Sequence, residues 1–262
     1  MSKSELPMLE PLERVRWGLR GDAALALWGG ADPENEDSFN EWYTHEHLPE
    51  RIAIPGFLRA RRYVSCTEQT AARTYFTLYE VRSRDVLVSD AYLGKLNSPT
   101  RRTLIHLPQF KAMRRTACRI THSVARGEGG SLVLMEFGPA PGQEEHLRAW
   151  IARSLAPEWM RRNGTLAVHL CEADATATAI AAEVESYRNV PTSAGRWLIL
   201  VEGAWIDLSS AFEIHVRDLD ELARQGTAPE TSCTIFRLLG SLAAESVDGP
   251  ANAATVTAQP AS

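Results

Sequence analysis

Residues 22–29 (DAALALWG) are dominated by small and apolar side chains with little alternation, the pattern of a strand buried on both faces. Asp32-Pro33 and the acidic residues after it open a helix expected over 34–50. On that helix Phe39, Trp42, Tyr43 and His47 recur at helical spacing and form one apolar face. It ends near Pro55-Gly56. Strands are expected at 57–66 and 74–82, a second helix capped by Asp85, and a long last strand over 112–124. The same order returns at 130–138, 142–161, 165–172, 196–204, 207–224 and 230–239.

The return is a repeat. At an offset of 108 residues Ala24-Leu25-Ala26-Leu27 falls on Leu132-Val133-Leu134-Met135, Trp42 on Trp150, Pro49-Glu50 on Pro157-Glu158 and Gly56 on Gly164. The offset grows to 122, where Glu80 meets Glu202, and ends at 115, where Cys118 meets Cys233. Order is kept and the offset changes only where loops or helix ends absorb it, as an old duplication would leave it. The expected organisation is an extension (1–21), a first copy (22–127) and a second copy (128–240) carrying an insertion (173–194), part of it helical. A small, polar, proline-containing tail (241–262) is expected to be disordered. Each copy reads as strand, helix, strand, strand, helix, strand, the ferredoxin-like split arrangement. Its sheet has helices on one face and a bare other face. The predicted fold is therefore α+β, two ferredoxin-like βαββαβ repeats packed sheet to sheet as an intrachain α+β barrel.

The segment Phe39-Asn40-Glu41-Trp42-Tyr43-Thr44-His45-Glu46-His47-Leu48-Pro49-Glu50-Arg51, followed by Pro55-Gly56-Phe57 and Arg61-Arg62-Tyr63, resembles the EthD-like branch of the dimeric α+β barrel superfamily. There a first helix ends in a His-x-Pro element that leads through Pro-Gly into the second strand. The resemblance implies the barrel fold. Relatives in that superfamily include cofactor-free monooxygenases, lactone isomerases, polyketide cyclases, aldoxime dehydratases and haem enzymes, so the fold does not choose the chemistry.

The chain of 262 residues is 23% charged with a formal net charge of −5, which argues against a general nucleic-acid binder. No apolar run approaches the ~20 residues of a membrane span, and the first residues lack the unbroken apolar core of a signal peptide. The four cysteines form no CxxC and read as reduced thiols, so a cytoplasmic location is expected. Nucleotide loops, a GxSxG elbow and HExxH are absent from the sequence, and no metal and no cofactor are expected.

The duplication points to His47. Leu147, Trp150, Ile151 and Leu155 are the counterparts of Phe39, Trp42, Tyr43 and His47, so an imidazole stands where the sister copy has leucine. Partly desolvated there, it suits general acid or base work. The alternative is a structural histidine bonded to a carbonyl or to Tyr43. Arg62, opposite Leu170 in the alignment, is the candidate for an anion contact, with a pairing to Glu80 as its alternative. The catalytic set is thus His47, Tyr43 and Arg62, and the substrate-binding set Trp42, Glu46, Tyr63, His106 and His122. His122 is expected to share an interior strand face with Cys118 and Ile120. His45 points away from His47, which disposes of a chelating pair. Arg101-Arg102 and Arg114-Arg115 read as solvated charges.

These residues suit a cofactor-independent lyase, isomerase or dehydratase acting on a small cyclic or aromatic metabolite, with one site per chain. A metabolite-binding protein without turnover is the alternative. A haem or monooxygenase-type barrel ranks below both. The axial-ligand choices His122, His169 and His215 do not stand at positions the sister copy makes apolar, and a colourless protein is expected. The partners expected are a small-molecule substrate and, beyond one chain, a homodimer, with no nucleic acid and no membrane.

Overall fold

The computed structural model describes residues 18–66, 73–184, 195–204 and 218–245. Eight strands form a closed antiparallel barrel in the order β1-β3-β2-β8-β5-β7-β6-β4. They are β1 (Ala23–Gly30), β2 (Phe57–Ser65), β3 (Tyr75–Val81), β4 (Lys111–Ala125), β5 (Ser131–Phe137), β6 (Thr165–Ala173), β7 (Trp197–Gly203) and β8 (Ser232–Ala243). Stepping four strands around the barrel carries β1 to β5, β3 to β7, β2 to β6 and β8 to β4. That is the duplication expressed as a pseudo-twofold axis along the barrel. The seams are β2 with β8 and β4 with β6, so each copy's long last strand closes onto the other copy.

The first helix, α1, is continuous from Glu36 to Ile52, but its middle turn, Tyr43–His47, is a π-helix. Its counterpart α4 spans Glu144–Arg161 with a π turn at Ile151–Leu155, the positions 108 residues on. A proline follows each wide turn at the same place, Pro49 and Pro157. Proline lacks an N–H and its ring presses on the carbonyl one turn back, and the wider turn gives it room. The Leu48 N–H accordingly reaches back five residues to the Tyr43 carbonyl, and that of Ala156 to Ile151. At the end of α1 the chain turns into β2 through Gly56, at φ 91°, where a Cβ would stand 2.5 Å from a Val86 methyl carbon.

The second helix of the first copy is two short ones, α2 (Asp90–Asn97) and α3 (Arg101–His106). Their caps are Ser89 and Thr100, not Asp85, which lies in a 3₁₀ turn and faces Arg84 at 3.6 Å. Part of the insertion is helical, as expected: α5 (Ala175–Ala182). Its Ala177 and Ala181 pack into the first copy's helix layer, so the second copy's insertion covers an edge of the first. Residues 218–224 form a last helix, α6. The rest of the expected 207–224 helix, residues 1–17 of the extension, residues 185–194 of the insertion and the tail beyond 245 lie outside the described residues. Residues 241–243 belong to β8 and pair with β2, so the second copy runs past 240.

Three apolar cores result, one between helices and sheet in each copy and one inside the barrel. One end of the barrel interior is charged. Arg59 and Arg61 both bond Glu80, at 2.9 and 3.1 Å, and Arg61 reaches Glu202 at 2.5 Å. His169 Nε2 lies 3.1 Å from the same Glu202 carboxylate. Burial pushes the Glu202 carboxyl up, but the hydrogen bond from His169 and the Arg61 charge prevail and hold it at about 2. The chain entering each copy closes this end: the Arg20 N–H donates to Glu80 and the Gly129 N–H to Glu202. Among the described residues no helix is long and apolar enough to cross a membrane.

Candidate functional site in the first copy

The sheet face beneath α1 carries Arg62 on β2, Thr77 on β3, Leu27 on β1 and Arg115 on β4, each opposite the next in register. Tyr75 and Tyr79 flank Thr77 on the same face of β3. Onto this row α1 lowers Phe39, Trp42, Tyr43 and His47, all buried. The His47 ring lies 4.8 Å from both the Trp42 and the Tyr43 ring. His106, at the end of α3, stacks on Trp42 at 5.1 Å and 19°, with its Nδ1 3.0 Å from Gln109. The Tyr43 hydroxyl donates to Thr77 at 3.0 Å and sits 3.1 Å from the Tyr79 hydroxyl. The Arg62 guanidinium lies between two rings, 4.1 Å from the centre of Tyr43 and 4.4 Å from that of Tyr75, and bonds Asn40 at 2.7 Å.

Four expected residues therefore meet in one layer: Trp42, Tyr43, His47 and Arg62, with His106 beside them. Three buried polar atoms there have no hydrogen-bond partner, Trp42 Nε1, His47 Nδ1 and Arg62 Nε. Leaving such an atom unmet costs about 1–3 kcal/mol, which a ligand or water would recover; Trp28 Nε1 and Trp159 Nε1, outside this layer, are unmet as well. Burial, then the charges of Arg51 and Arg62, hold the His47 imidazole well below its ordinary range. At neutral pH it is an uncharged ring, able to accept a proton but a weaker base than a free imidazole.

Other expectations change. Arg62 does not pair with Glu80; Arg59 and Arg61 do, from the opposite face of β2. Tyr63 shares that opposite face, so it points into the barrel and not into the site, where it packs against Phe76. His122 also fails to join. A bulge between Ile120 and His122 flips the alternation of β4. Ser123 turns inward to His169 at 2.9 Å and Val124 packs into the second copy's helix layer, and His122 faces that side with it. Glu46 stands at the rim, accepting from Thr100 at 2.5 Å and facing Arg102 at 3.5 Å, while His45 is exposed. Arg114 and Arg115 are not solvated charges. Arg114 bonds Glu136 and lies 3.8 Å over Trp28 inside the barrel, and Arg115 is buried against Tyr92. His169, one haem-ligand choice, has both ring nitrogens bonded within the barrel, and His215 lies outside the described residues.

The sequence reading missed Asn40, Tyr75, Thr77, Tyr79 and Arg115. The repeat held the signal for three of them. Tyr75, Thr77 and Tyr79 correspond to Trp197, Ile199 and Val201, so the comparison that exposed His47 exposes these too. The second copy replaces Tyr43, His47, Arg62, Tyr75, Thr77 and Tyr79 with Ile151, Leu155, Leu170, Trp197, Ile199 and Val201, all in its apolar core. A cleft of about 360 Å³ does open there beside Trp150 and Leu155. Its charges are satisfied by one another, Arg162 with Asp218 and Glu158, and Arg224 with Glu221.

No family model and no curated protein matches the chain. Solved structures do. An anthrone oxidase-like protein superposes with a TM-score of 0.61 at 11% identity, covering 86% of this chain and 94% of its own. A "Putative monooxygenase" from Fusobacterium nucleatum gives 0.53 at 11%, covering 85% and 95%. Another so described, from Lactobacillus acidophilus, gives 0.52 at 8%, covering 85% and 96%. At these identities the likeness is one of fold. The chain has the fold of the ferredoxin-like dimeric α+β barrels, with both halves of the barrel in one polypeptide.

Proposed function

We propose that the chain is a cofactor-independent enzyme of the lyase, isomerase or dehydratase type, of the EthD-like branch, acting on a small cyclic or aromatic metabolite at one site in the first copy. The observation that carries this is the six-position contrast between the copies: polar groups fill the layer in one and apolar groups fill it in the other, on the same backbone. In this reading His47 Nδ1 takes a proton from an acidic C–H of the substrate. The electron pair of that bond moves onto an adjacent carbonyl oxygen, and the Arg62 cation stabilises the charge that develops. Tyr43, its hydroxyl fixed by Thr77 and Tyr79, packs against the His47 ring and the Arg62 guanidinium and holds both in place.

Solvent deuterium tests it without knowledge of the product. Cyclic ketones, lactones and hydroxyaromatics are incubated with the protein in D₂O and followed by NMR. Protein-dependent exchange is expected for at least one compound, falling about 10²–10⁴-fold in His47→Leu. Exchange undiminished in that variant removes His47 from the mechanism. One observation favours the binding-only alternative: among the described residues no hydrogen bond holds the His47 nitrogen opposite Nδ1, whereas catalytic bases usually have such an orienting partner. A ligand-induced rise in melting temperature with no exchange and no product supports that alternative.

A further inference from the structure

Every guanidinium inside the barrel meets a carboxylate. Arg59 and Arg61 have Glu80 and Glu202, and Arg114 has Glu136. In the second copy Arg148 has Glu172 and Arg162 has Asp218. Arg62 breaks the pattern. It is 3% exposed, and among the described residues its one hydrogen bond goes to the neutral Asn40, its Nε has no acceptor and no carboxylate lies within ion-pair distance. Glu36, on the same side of the sheet, accepts from the Tyr75 hydroxyl and acts on Arg62 only as a charge beyond ion-pair distance.

Arg62 is buried in the first copy's helix layer. The buried carboxylates of the described residues lie elsewhere: Glu80, Glu136 and Glu202 point into the barrel, and Glu172 and Asp218 belong to the second copy. Nor does the fold require a cation at this place on β2, since the sister strand has Leu170 fully buried there. An ion buried without a counter-ion is costly, and the planar fork of arginine matches a carboxylate best of all. The faces of Tyr43 and Tyr75 hold the guanidinium plane between them, which leaves its edge, with the unmet Nε, for a planar anion.

We infer that the ligand of this site carries a carboxylate in its ground state and seats it on Arg62. The inference rests on the first copy holding the ligand site and narrows the substrate to small carboxylates. It is independent of whether His47 then moves a proton.

Benzoate, salicylate and cyclohexanecarboxylate serve as probes, with benzamide and benzyl alcohol as uncharged controls. Melting temperature and tryptophan fluorescence are read on the full chain. At least one carboxylate should raise the melting temperature and the controls should not. Arg62→Leu, the sister residue, should melt no lower than the parent and weaken carboxylate binding about 10–100-fold. Arg62→Gln gives the same readout should the leucine variant fail to fold. The inference is overturned if no carboxylate binds, if the controls bind as well, or if Arg62→Leu or Arg62→Gln binds unchanged. His47→Leu separates the two readings. Kept binding with lost exchange supports both, and kept exchange defeats the base alone. Unchanged carboxylate affinity without Arg62 defeats only the carboxylate.

Discussion

Replacing His47 by leucine, the residue of the sister copy, should remove a specific slope from the protein's stability against pH. In the unfolded chain the imidazole titrates near 6.5. In the folded protein burial, reinforced by Arg51 and Arg62, keeps it neutral to well below that. Below about pH 6.5 the unfolded state therefore binds one proton more than the folded state. The stability His47 lends is complete above that pH and drains away as pH falls toward the lowered folded value. The drain is about 1.4 kcal/mol for each pH unit inside this window. His122, also lowered by burial and by His169, is present in both proteins and cancels in the difference. Urea unfolding of parent and His47→Leu at pH 7.5, 6.5 and 5.5 measures it. The parent should lose stability relative to the variant by about 1 kcal/mol between the last two points, and by about a third of that between the first two. Parallel curves across all three would show that His47 is neither desolvated nor electrostatically pressed, and the argument for a neutral base would fall.

Other perturbations test other parts of the account. Glu80→Ala removes the carboxylate that Arg59 and Arg61 share, leaving Arg61 only Glu202 and Arg59 only the half-exposed Glu128, and should cost about 3–5 kcal/mol, or roughly 6–20 °C in melting temperature for a chain of this size. A loss below about 1 kcal/mol by calorimetry would mean the end of the barrel is wet. Gly56→Ala places a Cβ against Val86 at a left-handed φ and should destabilise by more than about 1 kcal/mol in urea. Leu155→His buries an imidazole where Ile151 and Leu170 offer no polar partner. It should cost about 1–3 kcal/mol at pH 7.5, whereas an unchanged urea midpoint would show that the second layer tolerates polar groups as the first does.

The barrel was legible because the duplication was. Matching apolar runs and the paired prolines locate both copies, and a sheet with one bare face needs a second such sheet. What escaped the sequence were features that local pattern does not encode. The bulge at 120–122 reversed the facing of His122, and strand alternation alone has no means of placing a bulge. Arg61 and Arg62 are both buried, on opposite faces, because the inner face holds glutamates contributed from both copies. Tyr63 went inward with Arg61 for the same reason of parity. His47 and Arg62 were found because a leucine stood at each sister position. Asn40 was not, because helix-surface asparagines carry no such contrast, and its role appears only once Arg62 lies beside it.

The central claim is one ligand site per chain, in the first copy between α1 and the Arg62–Thr77 row. Crystals of the protein soaked with 4-bromobenzoate, and measured at the bromine absorption edge, address it most directly. The account predicts a single anomalous peak per chain inside the layer formed by Trp42, Tyr43, His47 and Tyr75, with the carboxylate on Arg62. A peak beside Leu155 and Leu170 in the second copy, a peak inside the barrel, or no peak at all would contradict it.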